Sequence, residues 1–300
     1  MVGPAVEGSR AQDPSAGPSL GVHVSTAGGV SRSVPRATAL GCRAIQVFVK
    51  NANRWRAGPI PLPEAEAFRA ARSAAGLGPA VAHASYLINL AASDDTVRRR
   101  SEAALADELE RCDLLGLDGL VVHPGAHLGS GEEAGFDRVA AMLDRVLAGR
   151  PTGGPRVLLE NTAGQGTALG WRLEHLAAIR RRLARPDEVG ACLDTCHAFA
   201  AGYPPHEAAG YEEFVAELAE VVGLERIACW HLNDSRRPFA SRRDRHEHIG
   251  EGAIGRGLFA RLLHDPRFTG VPMVLETEPG EGGAGHRRDL EVLRGLAAPG

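Results

Sequence analysis

Lysine is almost missing from this chain: of its 34 basic residues, only Lys50 is not an arginine. The formal net charge is −3, which excludes a general attraction to nucleic acid, so any such binding must rest on a local basic patch. No apolar stretch is long enough to span a membrane and none reads as a secretory signal. A cytoplasmic location without a membrane partner is therefore expected. Cysteine is scarce as well. Five residues without regular spacing, three of them inside apolar or helical segments, argue against a disulfide framework and for free thiols in a reducing compartment. An internal domain boundary is also missing. The Gly/Pro clusters at 149–155 and 279–285 fit loops, and residues 1–19, rich in Gly, Pro, Ser and Ala, read as a disordered extension before one domain spanning 20–300. In a chain of 300 residues, 44% of them hydrophobic, that domain can bury a full core.

What is present is a recurring pattern in which an apolar run stops at a bare His, Asp or Glu. The runs are Ala80-Val81-Ala82-His83, Leu120-Val121-Val122-His123, Val157-Leu158-Leu159-Glu160, Ala191-Cys192-Leu193-Asp194, Ile227-Ala228-Cys229-Trp230-His231 and Met273-Val274-Leu275-Glu276. Such runs, bounded by turn residues, read as strands buried on both faces. A titratable group at the end of one is costly unless it is paired or ligates a metal. Adding Leu20-Gly21-Val22-His23 and Ala44-Ile45-Gln46-Val47-Phe48 gives eight strands, at the spacing of roughly 25–45 residues that βα units require. Helical patterns fill the gaps at 96–115, 212–222 and 257–263. In the first, Val97, Ala104, Leu105, Leu109, Cys112 and Leu115 share one face, with the charges opposite. Eight strand–helix units predict an α/β fold, a single-domain TIM (β/α)8 barrel, with a metal cluster at the C-terminal ends of its strands. A doubly wound open sheet would instead gather its functional groups at one switch point.

Asp244-Arg245-His246, a few residues after His231-Leu232-Asn233-Asp234, adds further ligand types. Imidazole and carboxylate suit Zn2+. Asp244 and His246 can face one ion only on an extended or looped segment, whereas Asp194 and His197 can diverge from a strand end to two ions. Singly, each residue has a plainer role. A strand-end His can simply pack, Asp194 can cap a helix, and Glu160 and Glu276 can pair with arginines. Cys196 lies between Asp194 and His197, but carboxylate-bridged zinc sites recruit oxygen and nitrogen donors, which leaves it outside the set.

Longer segments carry a resemblance. Leu159-Glu160-Asn161-Thr162, Cys192-Leu193-Asp194-Thr195-Cys196-His197, His231-Leu232-Asn233-Asp234-Ser235, Asp244-Arg245-His246-Glu247-His248, Gly21-Val22-His23-Val24-Ser25, His83-Ala84-Ser85-Tyr86-Leu87 and Leu275-Glu276-Thr277 resemble the signature segments of endonuclease IV. That family comprises the metal-dependent apurinic/apyrimidinic (AP) endonucleases of base-excision repair, and the match keeps the family order over residues 20–295. The resemblance implies a TIM barrel with three zinc ions, although manganese suits an oxygen-rich position. His83, His123 and Glu160 would hold the first ion. Glu160, the catalytic bridging carboxylate, would share the second with Asp194, His231 and Glu276, and His197, Asp244 and His246 would take the third. The implied reaction is hydrolysis of the phosphodiester 5′ to an abasic site by a hydroxide held between two zincs, with the third supporting the leaving 3′-oxygen. Products are a 3′-hydroxyl and a 5′-deoxyribose phosphate, and 3′-phosphodiesterase or 3′-phosphatase activity follows from the same geometry. The implied partner is double-stranded DNA with abasic sites or 3′-blocking groups, and the enzyme is expected to be a monomer.

For DNA contact, Tyr86 and Leu87 match the family's pair that enters the duplex at the abasic site. Such wedges exchange unstacking for a kinked duplex, most cheaply where a base is already missing. In Lys50-Asn51-Ala52-Asn53-Arg54-Trp55 the chain departs from the family, with Asn53 standing where the pattern has an inserting arginine. Lys50 and Arg54 are expected to contact DNA, Arg54 at a phosphate, and Trp55 to pack the loop. Arg236, Arg237, Arg242, Arg243 and Arg245 read as a phosphate-contacting patch. His23, His248 and Glu251 are expected to orient ligands by hydrogen bonds. Sugar isomerases of similar architecture need neither His197, Asp244 and His246 nor a wedge loop. A lesion-binding module with structural zinc would favour Cys ligands, and the expected set has none.

Overall fold

The computed structural model describes residues 18–298, so the extension expected at 1–19 lies almost wholly outside the described residues. Each apolar run forms a strand: β1 (Leu20–His23), β2 (Ala44–Val47), β3 (Ala80–His83), β4 (Gly119–Val122), β5 (Arg156–Glu160), β6 (Val189–Asp194) and β7 (Ile227–His231). A short antiparallel hairpin of β8 (Asp234–Ser235) and β9 (His246–Glu247) follows, and β10 (Met273–Leu275) completes the set. The eight longer strands pair in parallel and close in the order β1-β10-β7-β6-β5-β4-β3-β2. Closure excludes the doubly wound sheet and confirms the barrel. Among the described residues no helix is long and apolar enough to cross a membrane.

The helices follow local signals, with two departures. Helix α1 (Asp95–Leu115) starts where Asp94 accepts hydrogen bonds from the amides of Thr96 and Val97, and ends at Gly116 in the left-handed region, φ 64°. Its charges are not all opposite the apolar face, because Glu108 and Arg111 are buried. The helix expected at 212–222 is shifted: an α-helix covers Ala208–Glu217, and the remainder, Leu218–Val222, winds as a π-helical turn. The pattern at 257–263 becomes a helix over Arg256–His264.

Side-chain alternation along each strand sorts the residues into layers. Val81, Val121, Leu158, Cys192, Cys229 and Val274 form a buried cluster separate from the larger one under the helices, so they fill the barrel's interior. The residue two places further along each of these strands is His83, His123, Glu160, Asp194, His231 or Glu276. His23 and Gln46 occupy the same level on β1 and β2, where they are register partners. Every barrel strand therefore delivers one polar side chain to a single layer at its C-terminal end.

A bulge completes that layer. Strands β6 and β7 pair Ala191 with Ile227 but Cys192 with Cys229, a one-residue slip that leaves Ala228 over. Without it Asp194 would sit opposite Trp230, and His231 would point out toward the helices. With it, Asp194 and His231 are register partners.

Candidate metal centre

Glu160 lies at the middle of the layer and is fully buried. Its two oxygens face different histidines. Oε1 is 2.9 Å from His231 Nδ1 and 3.4 Å from His197 Nδ1, while Oε2 is 3.2 Å from His83 Nε2 and 3.0 Å from His123 Nε2. Glu276 approaches from β10, with Oε2 3.2 Å from His231 Nδ1. On the far side the β8–β9 hairpin brings Asp244 and His246 over α2 (Thr195–Ala201), which carries His197. Asp244 then spans the two imidazoles, 3.2 Å from His197 Nε2 and 3.1 Å from His246 Nε2. Asp194 plays the plain role: one carboxylate oxygen caps α2 by accepting from the His197 amide at 2.7 Å. The other is 3.6 Å from His246 Nε2. Glu160 and Glu276 pair with imidazoles and with no arginine among the described residues.

All nine expected ligands thus converge. Ligand atoms of His83, His123 and Glu160 lie within 4.8 Å of one another, as do those of Glu160, Asp194, His231 and Glu276. A third group joins His197 and His246 to Asp194, and a fourth joins Asp244 and His246 to Cys196. Cys196 is buried, its thiol pushed up to about 12 chiefly by that burial, and its Sγ points at the Arg245 carbonyl, 3.8 Å away.

Neighbouring groups decide which imidazole nitrogen faces the centre. His83 donates Nδ1–H to its neighbour's carbonyl, Ala84 O, at 2.8 Å, and His197 donates Nδ1–H to Asn161 O at 2.9 Å. Both leave Nε2 free. His231 is held the other way: Nε2–H donates to Gln46 Oε1 at 2.8 Å, leaving Nδ1 toward the carboxylates. The Gln46 amide nitrogen donates to Glu276 Oε1 at 2.5 Å and to His23 Nδ1 at 3.0 Å. Asn233 donates to Asp194 Oδ2 at 2.6 Å, while its own oxygen accepts from the Glu276 amide. Sequence reasoning assigns no role to Gln46, Asn161 or Asn233. The only available signal for Gln46 was a polar residue at an inward position of β2.

Electrostatics follows from crowding. Burial would raise Glu160, but His231, His123 and His197 more than offset it and hold the carboxyl well below the ordinary range. Burial likewise opposes ionisation of Glu276 and Asp244, and the facing histidines hold both low. The reciprocal effect raises His197 and His231 well above the usual imidazole range and pushes His246 up to about 9, against the opposing effect of burial. His246 Nε2 is buried and hydrogen-bonds to nothing, despite lying 3.1 Å from Asp244 Oδ1. A buried imidazole nitrogen without a hydrogen bond, within a carboxylate–imidazole donor set, fits a divalent ion of the zinc type.

The expected DNA-contacting residues divide. Tyr86 is 62% exposed, its ring edge-on to Phe48 at 5.6 Å and 5.5 Å from the His83 ring, so an aromatic face stands open beside the centre. Leu87 is half-buried, whereas Asn53 and Arg54 are exposed, and Trp55 packs on the core. Lys50 leaves the set. Its side chain is 1% exposed, with Nζ 3.2 Å from the equally buried Glu108 and 3.3 Å from Asp107, so its charge is spent inside the fold. Glu108 in turn accepts from the Ser85 amide at 3.1 Å; the pair braces the loop that carries Tyr86. Arg245 and its four arginine neighbours are exposed on the connection between β8 and β9, and Arg237, Arg242, Arg243 and Arg245 line a pocket of about 310 Å³. Of the expected orienting residues, His23 contacts Glu276 at 3.5 Å. His248 instead binds Asp289, and Glu251 pairs with Arg288 at the surface, so neither touches a ligand.

Known proteins resemble this chain over nearly its whole length. A family model described as a xylose isomerase-like TIM barrel matches residues 34–296. The probable endonuclease 4 of Chloroflexus aurantiacus is 50% identical over 279 residues, 93% of this chain and 98% of that protein. That of Geobacter sulfurreducens is 48% identical over 278 residues, 92% and 94% of the two chains. The crystal structure of endonuclease IV from Thermus thermophilus superposes with a TM-score of 0.83 at 42% identity, covering 93% of this chain and 98% of that one. A D-tagatose 3-epimerase-like protein shares the fold alone, with a TM-score of 0.67 at 22% identity over 93% of this chain and all of that one.

Proposed function

The chain belongs to the endonuclease IV family, and from that premise we propose that it is a zinc-dependent AP endonuclease that hydrolyses the phosphodiester 5′ to an abasic site in duplex DNA. The observation that carries the reading is the posture of Glu160, whose two oxygens each face a separate set of histidines, as a bridging carboxylate requires.

His83, His123 and Glu160 would hold one ion, Glu160, Asp194, His231 and Glu276 a second, and His197, Asp244 and His246 a third. When bound, such ions lower the pKa of water toward neutrality and offset the charge that builds on phosphoryl oxygens. The chain's own contribution is to fix the donors before substrate arrives. Ala84, Asn161 and Gln46 take the outward ring protons of His83, His197 and His231, so that each inward nitrogen presents a lone pair. The low-lying carboxyls of Glu160, Glu276 and Asp244 stay ionised at neutral pH. Asp244 sits at the mouth with its side chain 43% exposed, whereas Glu160 is sealed below, so the third group is the one open to a leaving group. Tyr86, with Leu87, supplies the wedge at the unstacked site, and the arginines between β8 and β9 supply phosphate contacts. Because one chain provides all nine ligands, the site is complete in a monomer. Removal of 3′-blocking groups uses the same donors and belongs to the same proposal.

A duplex oligonucleotide with one abasic site tests this. The purified protein should nick 5′ to the site, leaving a 3′-hydroxyl and a 5′-deoxyribose phosphate. A strong chelator should abolish the nick and added zinc restore it. Incision that survives chelation, or a break on the 3′ side of the lesion, would overturn the reading.

A further inference from the structure

One layer below the polar ring, the barrel interior contains two thiols where its other strands offer valine, leucine, alanine or glycine. Cys192 on β6 and Cys229 on β7 are both 0% exposed and belong to the inner cluster with Val81, Val121, Leu158 and Val274. The bulge that turns His231 inward also makes the two cysteines register partners. As a result the Sγ atoms of both, and a ring nitrogen of His231, lie within 4.8 Å of one another. An ion held by two sulfurs at about 2.3 Å and one nitrogen at about 2.0–2.1 Å separates its ligand atoms by roughly 3.5–4 Å. Small side-chain movements therefore suffice to close the three around an ion. All five cysteines of the chain are free thiols, so neither sulfur is tied up in a disulfide; Cys229 Sγ makes a long contact to the Trp230 carbonyl, 3.7 Å.

We propose that Cys192, Cys229 and His231 form a site for a thiophilic cation, of the class of cadmium, mercury(II) or copper(I), and that filling it withdraws His231 from the carboxylates above. Two thiolates and an imidazole are a softer donor set than the oxygen-rich groups of the polar layer, so the two layers select different cations. His231 belongs to both: its Nδ1 stands 2.9 Å from Glu160 and 3.2 Å from Glu276. A cation that enters the polar layer thus meets the thiols without crossing apolar packing. On binding, each thiol gives its proton to solvent. The loss of function rests on the endonuclease reading, whereas the binding itself does not.

Cadmium is the probe, added to the full chain already loaded with zinc. Thiolate-to-cadmium charge-transfer absorption in the ultraviolet should appear and saturate at about one ion per chain, with incision lost in parallel. Cys196→Ser, at the neighbouring group of the polar layer, should leave the absorption intact. Cys192→Ser/Cys229→Ser should remove it and make incision resistant to cadmium. Should the double variant fail to fold, Cys229→Ala alone should reduce the absorption by about half, since each thiolate contributes its own transition. No absorption in the wild type, or undiminished absorption without Cys192 and Cys229, overturns the site. Absorption without loss of incision overturns the withdrawal of His231. A protein with no incision activity at all would refute the endonuclease reading, and the absorption would still decide the cation site.

Discussion

Gln46 is the single glutamine of a strand otherwise made of alanine, isoleucine and valine, and its amide is committed at both ends. Its oxygen takes the His231 proton and its nitrogen binds Glu276 and His23. Removing it leaves His231 free to choose the other tautomer, in which Nδ1 carries the proton and can no longer ligate. Gln46→Ala should therefore weaken zinc binding by about 10–100-fold, the usual cost of losing a group that orients a ligand, as read by competition with a chromophoric chelator. Glu160→Ala should go further and abolish incision, because several kcal/mol of transition-state stabilisation depend on one carboxylate serving two groups. Unchanged zinc affinity in Gln46→Ala would show that burial alone orients His231. The ligands were legible because a charged group closing an apolar run is anomalous by itself. Gln46 was not, because a neutral amide at an inward strand position is only a faint signal until its partners, 185 and 230 residues away, are in place.

At the scale of elements, the strands were legible to within a residue or two, since a strand buried on both faces must be continuously apolar. The slip between β6 and β7 was not, because a bulge depends on pairing between strands and leaves no trace in either sequence alone. Lys50 illustrates the same limit. A lone lysine after a strand reads as exposed, but Glu108, which the helical pattern had set on the polar face, turns inward to meet it. Breaking a buried pair strands the remaining charge, so Lys50→Ala should cost about 3–5 kcal/mol of stability in chemical denaturation. It should leave the salt dependence of DNA binding as it was; a shallower slope would return Lys50 to the phosphate contacts. Arg54, exposed three residues beyond Asn51 in the same loop, should behave oppositely. Arg54→Ala should weaken intact and abasic duplex alike and lower the salt slope by about one. A loss of roughly 1–3 kcal/mol confined to the abasic duplex and independent of salt would instead make Arg54 part of the wedge beside Tyr86.

The molecule as a whole carries a net charge of −3, yet it presents five arginines on the connection that also delivers Asp244 and His246 to the mouth. Those five stand on the face where the barrel opens, where the proposed phosphate contacts would gather. Beneath that face, the barrel strands and one hairpin crowd carboxylates and imidazoles into one small space. The histidines hold Glu160, Glu276 and Asp244 below the ordinary carboxyl range there, and the carboxylates raise His197, His231 and His246 in return. The proposed metal centre fits such a space, since an ion would replace protons and satisfy both kinds of donor at once. The number of ions is therefore the most direct quantity to measure. Elemental analysis of the protein purified without added metal should find about three zinc ions per chain, falling in Glu160→Ala together with incision. Full incision by protein that contains only trace metal would contradict the account.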